Sequence, residues 1–257
     1  MDLANDSTIP LFISNFVTLL LILFFSRDRT QQNNVYKEQI ARLEAQSLRA
    51  QMNPHFIFNA LNGVQSVMIL QGEAMANKYL GIFSKMLRST MDMSNNELIS
   101  LKDEVIYLTT YIALQNMRME HQVNFEVKID DEIDPHNCFL PTMLLQPIVE
   151  NAVIHGLQPL KKSGHIKMKV SKKRNLLEIV VVDNGVGRKQ SQLLKQKMER
   201  KHTSYASQIL KERIDIYSYL RREKTDFFME NINQSKKYTG TRAVLVFPYL
   251  NQKEKLI

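Results

Sequence analysis

Hydrophobic and polar positions divide the chain into three regimes. Ile9 to Phe25 carries no charge and is rich in Leu, Ile and Phe. As a helix it spans about 26 Å, just short of the roughly 30 Å of a bilayer core. Asp2 and Asp6 precede it, Arg27 and Arg29 follow, and no small-residue cleavage site is present. The pattern predicts one membrane helix over residues 9–25, with residues 1–8 as a short tail outside and the rest in the cytoplasm. A buried core helix is the alternative. With so little chain outside, sensing is expected to come through that helix, a partner subunit or a segment upstream.

The second regime, residues 30–95, has helical periodicity. Tyr36, Ile40, Leu43, Ser47 and Ala50 alternate at four and three, a weak coiled-coil seam. Pro54 should break or kink that helix. Beyond it Ile57, Leu61, Val64 and Met68 form one stripe, Gly72 interrupts, and Met75, Tyr79, Ile82, Met86 and Met93 form another. Such a hairpin cannot bury both apolar faces alone, whereas a dimeric four-helix bundle would.

The third regime, residues 96–250, is mixed, with a boundary near Ser94 to Ser100 and a tail at 251–257. Ser100 followed by Asp103 and Glu104 predicts a capped helix to about Met119, with Val105, Leu108, Ile112 and Gln115 on one side. Val123 to Ile129 alternates as a half-buried strand, and Asp130 to Pro135 reads as an acidic turn. Pro141 to Gly156, PTMLLQPIVENAVIHG, is expected to be one helix. Ile166–Val170 and Leu176–Val182 are expected to form a hairpin, the second strand a continuous buried run. A basic, poorly periodic segment follows over 188–202, read as a mobile cover or a solvated basic helix. A helix over Ile209–Leu220 and strands at Phe227–Ile232 and Ala243–Phe247 complete the pattern, an α+β fold.

Composition narrows the reading a little. The chain has 257 residues, 44% apolar, so cores of one or two domains are affordable by size. The single cysteine, Cys138, excludes an internal disulfide and fits a reducing compartment. A formal charge of +8 suits nucleic acid, a cytoplasmic membrane surface or a polyphosphate ligand. No Cys/His cluster has metal-site spacing.

Three stretches carry candidate chemistry. His55, in NPHFIFN, falls about 160° from the apolar stripe, in a polar line with Asn59, Asn62 and Ser66. There it is free to act as a nucleophile, though a surface histidine beside a helix-starting proline is the plainer reading. Glu150 and Asn151 interrupt an apolar run, with His155 one turn on; a hard cation such as Mg²⁺ or a capping hydrogen bond would each satisfy them. The strand LLEIVVV ends in DNGVG, Asp183 to Gly187. A carboxylate there can accept from an exocyclic amine, and glycines admit backbone close to a ligand, although Asp-Asn-Gly is also ordinary turn chemistry.

QMNPHFIFNALN (Gln51 to Asn62), LLQPIVENAVIHG (Leu144 to Gly156) and VVDNGVG (Val181 to Gly187) occur in that order, with weaker echoes at Leu101–Met119 and Gly240–Pro248. From about Leu43 to Pro248 the chain resembles the LytS-like family of membrane sensor histidine kinases. The resemblance implies a dimeric helical hairpin followed by a Bergerat-type α/β sandwich that binds ATP. It implies His55 as phosphoacceptor, Asn151 as Mg²⁺ ligand and Glu150 beside it ordering water or metal. It further implies Asp183 taking the adenine amino group, Gly185 and Gly187 shaping the pocket, and Thr241 near the base. The implied partners are a second copy and a cytoplasmic response regulator, often of LytTR type, at the cytoplasmic membrane, with no direct nucleic-acid binding. Asn59, one turn after His55, is a candidate for orienting a water in regulator dephosphorylation. Two departures from better-known histidine kinases stand out. Phe56 occupies the place of an acid after the histidine, and Ala206, in HTSYASQILKERI, stands where a lid glycine is expected.

Overall fold

A computed structural model describes residues 54–160, 162–197, 205–221, 225–232 and 239–250. The expected membrane helix, the coiled seam and the tail lie outside the described residues. Among the described residues no helix is long and apolar enough to cross a membrane.

Two helices come first, α1 (Pro54–Gln71) and α2 (Glu73–Ser94). Proline at the first helical position has its φ already set and lacks only an N–H that would go unbonded there. Gly72 turns the chain at φ 87°, where a side chain would be strained. The face expected on α2 is observed: Ala76, Tyr79, Phe83, Met86, Thr90 and Met93 are buried, with Met75 and Ile82 half-buried. On α1 the expected stripe is only partly covered within the single chain: Val64 is half-buried against the core, and the Ile57 side chain lies outside those described. Ala60, Gly63 and Val67 turn inward, while Leu61 and Met68 are 52% and 54% exposed. Gly63 is needed on that face because the Tyr79 side chain of α2 lies against it. A Cβ on Gly63 would lie 2.5 Å from the Tyr79 hydroxyl oxygen and 3.0 Å from Arg118 Cδ.

Strand β1 (Leu98–Ser100) leads directly into α3 (Leu101–Asn116). Ser100 caps it as expected: Oγ accepts from the Asp103 amide at 3.1 Å. The helix stops three residues short of the predicted Met119. Asn116 turns out to clamp the next strand, donating to the Val123 carbonyl at 2.9 Å and accepting from its amide at 2.7 Å. That strand is β2 (Val123–Ile129), with the expected alternation softened to half-burial on the inner side.

The run from Pro141 to Gly156 is not one helix. Phe139–Pro141 is β3, antiparallel to β1. A turn with Met143 at φ 59° follows, and α4 begins only at Gln146 and ends at Asn151. Ala152–Leu157 continues as a π-helical turn, in which the Gln158 amide reaches the Val153 carbonyl at 2.8 Å. The apolar content of PTMLL is explained by burial of a turn, not by helical periodicity.

β4 (Gly164–Lys173), β5 (Leu176–Asp183), β6 (Asp226–Asn231) and β7 (Thr241–Pro248) join β2 in a five-stranded sheet ordered β2-β4-β5-β7-β6, parallel only between β2 and β4. β5 alternates rather than being buried on both faces. Leu177, Ile179, Val181 and Asp183 point inward, and Leu176, Glu178, Val180 and Val182 are half-buried. The inner face packs with α4, the π turn and α6 (Tyr205–Arg221) in one apolar cluster, where Tyr217 meets Phe247 edge-on at 5.4 Å. The basic segment forms α5 (Arg188–Lys197) in part, with Arg188 and Lys189 exposed; 198–204 lies outside the described residues. The architecture is α+β, a helical layer over one face of a mixed sheet.

Candidate active site

Inner-face alternation delivers Asp183, the last residue of β5, into the interior, 4% exposed. Its Oδ1 accepts from the Gly185 amide at 2.8 Å and the Thr241 amide at 3.3 Å. Burial raises its carboxyl to about 6, with hydrogen bonds from Gly185 and Thr241 opposing the rise. The position matters more than the number: a carboxylate held by backbone at a strand end can accept a hydrogen bond with little reorganisation.

The DNGVG loop is pinned from three sides. Asn184 exchanges hydrogen bonds with His165 of β4, accepting at Oδ1 at 2.8 Å and donating its own amide at 3.2 Å. Gly185 lies so close to the π turn that a Cβ there would sit 2.5 Å from the Gly156 carbonyl oxygen. The Val186 amide donates to that same oxygen at 2.9 Å, and the Gly240 amide donates to the Gly185 carbonyl at 3.0 Å. Gly187, at φ 79°, leaves room for the Thr239 hydroxyl and the Asn231 amide oxygen, which accepts from the Arg188 amide at 2.9 Å.

Asp183, Gly185, Gly187 and Thr241 thus lie together at the end of β5, its loop and the start of β7. Glu150 and Asn151 stand on α4, one short helical run ahead of Gly156, both half-buried. Burial raises the Glu150 carboxyl above its ordinary range. His55 and Asn59 fall within α1, and their side chains are outside those described. The α1 end of the hairpin contacts α3, where Gln71 Nε2 donates to the Met117 carbonyl at 3.3 Å.

Sequence reasoning missed Gly156 and Gly240. A Cβ on Gly156 would lie 3.0 Å from Asp183 Oδ1, so this glycine lets the π turn rest against the carboxylate. Its one signal was the glycine closing the VIHG run, where a helix is expected to end. Glu104 and Arg213 were missed too. Both are charged residues of helices that read as half-exposed, yet they are 0% and 1% exposed.

A histidine kinase family model matches residues 43–123. The sensor histidine kinase YpdA of Escherichia coli (strain K12) is 34% identical over 151 residues, covering 59% of this chain and 26% of that protein. The sensor protein LytS of Staphylococcus epidermidis (strain ATCC 35984) is 32% identical over 165 residues, covering 64% and 27%. LytS of Staphylococcus saprophyticus is 29% identical over 245 residues, covering 93% of this chain and 39% of that protein. The chain belongs to the LytS-like histidine kinase family. It spans well under half the length of these relatives.

The residues of this kinase-family site fit a nucleotide with its cation. Among the described residues no group of three His, Cys, Asp or Glu could hold a metal. Mg²⁺ is a cation that takes one or two protein oxygens and draws its other ligands from phosphates and water. Asn151, with an uncharged amide oxygen beside the acidic Glu150, is suited to supply one protein ligand.

Proposed function

We propose that the chain is a membrane-bound, dimeric sensor kinase that phosphorylates His55 from ATP and passes the phosphoryl group to an aspartate of a response regulator, of LytTR type. The observation that carries this is the buried Asp183 carboxylate, tied to Gly185 and Thr241 and resting on Gly156 of the helical run that bears Asn151. That arrangement is a purine-amine acceptor beside a phosphate-side amide, in the manner of a Bergerat-type ATP site.

In this reading Asp183 accepts from the adenine amino group, Thr241 lies near the base, and Gly185 and Gly187 let backbone approach it. Asn151 would hold Mg²⁺, with Glu150 ordering water beside it, and the cation would supply neutralisation of phosphate charge. The His55 imidazole attacks the γ-phosphorus. A P–N bond forms as the bond to the β–γ bridging oxygen breaks, ADP departs, and the ring proton passes to solvent. Protein work in such a transfer is mostly positioning and charge neutralisation, so Phe56 after the histidine is compatible with it. Arg188 and Lys189 on α5 add positive charge next to the loop.

The test incubates the full chain in detergent micelles with Mg²⁺ and γ-labelled ATP, beside His55→Gln and Asn151→Ala. Acid-labile, base-stable label absent from both variants is expected. ATP binding without label would favour an ATP-binding scaffold that holds a partner without phosphotransfer, a reading prompted by Ala206 in place of a lid glycine. Asn59→Ala is expected to slow regulator dephosphorylation; an unchanged rate removes Asn59 from that role.

A further inference from the structure

Glu104 stands in the first turn of α3, where an acid ordinarily faces solvent and the helix's own amides. Here it is fully buried, and its partners belong to a distant segment. Oε1 accepts from the Leu145 amide at 2.7 Å, and the Met143 and Gln146 amides also bear on the carboxyl. These residues form the turn that delivers the chain into α4, six residues before Asn151. The turn has Met143 at φ 59°, a conformation that non-glycine residues rarely adopt and that surrounding structure must hold.

A second charge closes the turn from the other side. Arg213 of α6 donates Nη2 to the Thr142 carbonyl at 3.1 Å, and its positive charge acts on Glu104. One helical turn along α3, Tyr107 hydrogen-bonds Thr90 of α2 at 3.4 Å and contacts the Gln146 side chain. Helix α3 therefore touches the histidine-bearing hairpin on one side and the root of the Asn151 helix on the other. A buried carboxylate is costly relative to an apolar residue of equal volume, so packing alone does not account for it.

We propose that Glu104 is a positioning residue of the nucleotide site: its carboxylate clamps the Thr142–Gln146 turn and thereby sets where Asn151 stands. The inference rests on the kinase reading. It assigns α3, outside the sheet and the glycine loop, a direct part in ATP affinity.

The test measures His55 labelling against ATP concentration, and binding of methylanthraniloyl-ATP with Mg²⁺, in the full chain and in Glu104→Ala, Glu104→Asp and Glu104→Gln. Gln keeps one oxygen for the Leu145 amide but loses the charge and the second acceptor, and it is expected to raise KM for ATP by less than Ala does. Ala is expected to raise KM by about tenfold or more with kcat at saturating ATP within about threefold, the signature of displaced binding groups. Asp keeps the charge but withdraws the oxygens by one methylene. If Ala does not fold, a rise of about fivefold in KM for Asp supports the clamp. A folded Ala or Asp variant with parental KM overturns the proposal. Asn151→Ala separates the two layers. Parental binding and labelling in that variant removes Asn151 from the site and the clamp with it, whereas no binding and no label in the parent removes the kinase reading. Normal labelling with parental KM in every Glu104 variant removes only the clamp.

Discussion

The glycine loop and the hairpin solve the same problem, close approach of two chain segments, with opposite completeness. Around Asp183 the approach is closed within the chain. Gly185 meets Gly156 backbone to backbone, and Asp183 Oδ1 is held by two amides. In the hairpin, Gly63 admits Tyr79 on one face of α1, but Leu61, Met68, Ile69 and Leu70 on the rest are 52% to 76% exposed. The loop is finished by its own chain, whereas the hairpin leaves apolar surface that a second copy would cover, as the proposed dimer requires. Rigidity is thus concentrated where a nucleotide would be recognised.

The largest expected effect falls on the loop. Gly185→Ala places a Cβ against the Gly156 backbone, which no rotamer change relieves. Nucleotide binding is expected to weaken at least 100-fold, with about 3 kcal/mol or more lost from stability in urea unfolding. Unchanged binding would mean that the loop is as adaptable as the hairpin.

Next comes the pH response of Asp183. A carboxyl at about 6 when folded, above its ordinary 3.8, carries a penalty for ionisation that is fully present above pH 6 and disappears as pH falls toward 4. Its contribution to stability therefore improves on acidification over that window. Nucleotide affinity should move the other way, because the amine acceptor is protonated. KM for ATP measured from pH 7.5 to 5.5 is expected to rise below about 6, and Asp183→Asn should flatten the profile at a uniformly poorer value.

Gly63→Ala sharpens the comparison from the hairpin side. Overpacking against Tyr79 costs about 1–3 kcal/mol, offset by about 1 kcal/mol of better helix propensity. A net loss of about 1 kcal/mol is expected in thermal unfolding, with nucleotide affinity unaltered. The smallest effect on the fold is expected from Ile69→Lys and Leu70→Lys. Both sites are exposed in the single chain, so stability should change by less than about 0.5 kcal/mol, while light scattering should show dimer giving way to monomer. A dimer that survives both changes would place the contact on another face.

Much of this was legible locally. Pro54, Gly72 and Ser100 mark helix ends because each alters backbone conformation or capping at its own position, and β2 and β4 through β7 announced themselves by strand composition. The site residues Asp183, Gly185 and Gly187 were legible because a strand running into a glycine turn is a local signal. The burial of α1 was not. Periodicity selected Leu61 and Met68, whereas within the single chain the covered face is that of Ala60, Gly63 and Val67, with the Tyr79 side chain lying against Gly63.

Sequence by itself therefore determined most of the longer helices and strands and their order, and the candidate residues of the glycine loop, since these follow from interactions within a few residues. The tertiary structure alone decided which face of α1 is covered and that the apolar run after Pro141 is a buried turn. It also decided that Glu104 serves a helix forty residues on and that Gly156 rests on Asp183. Each of these depends on a partner distant in the chain, and a buried charge or a missing Cβ acquires meaning only when that partner arrives.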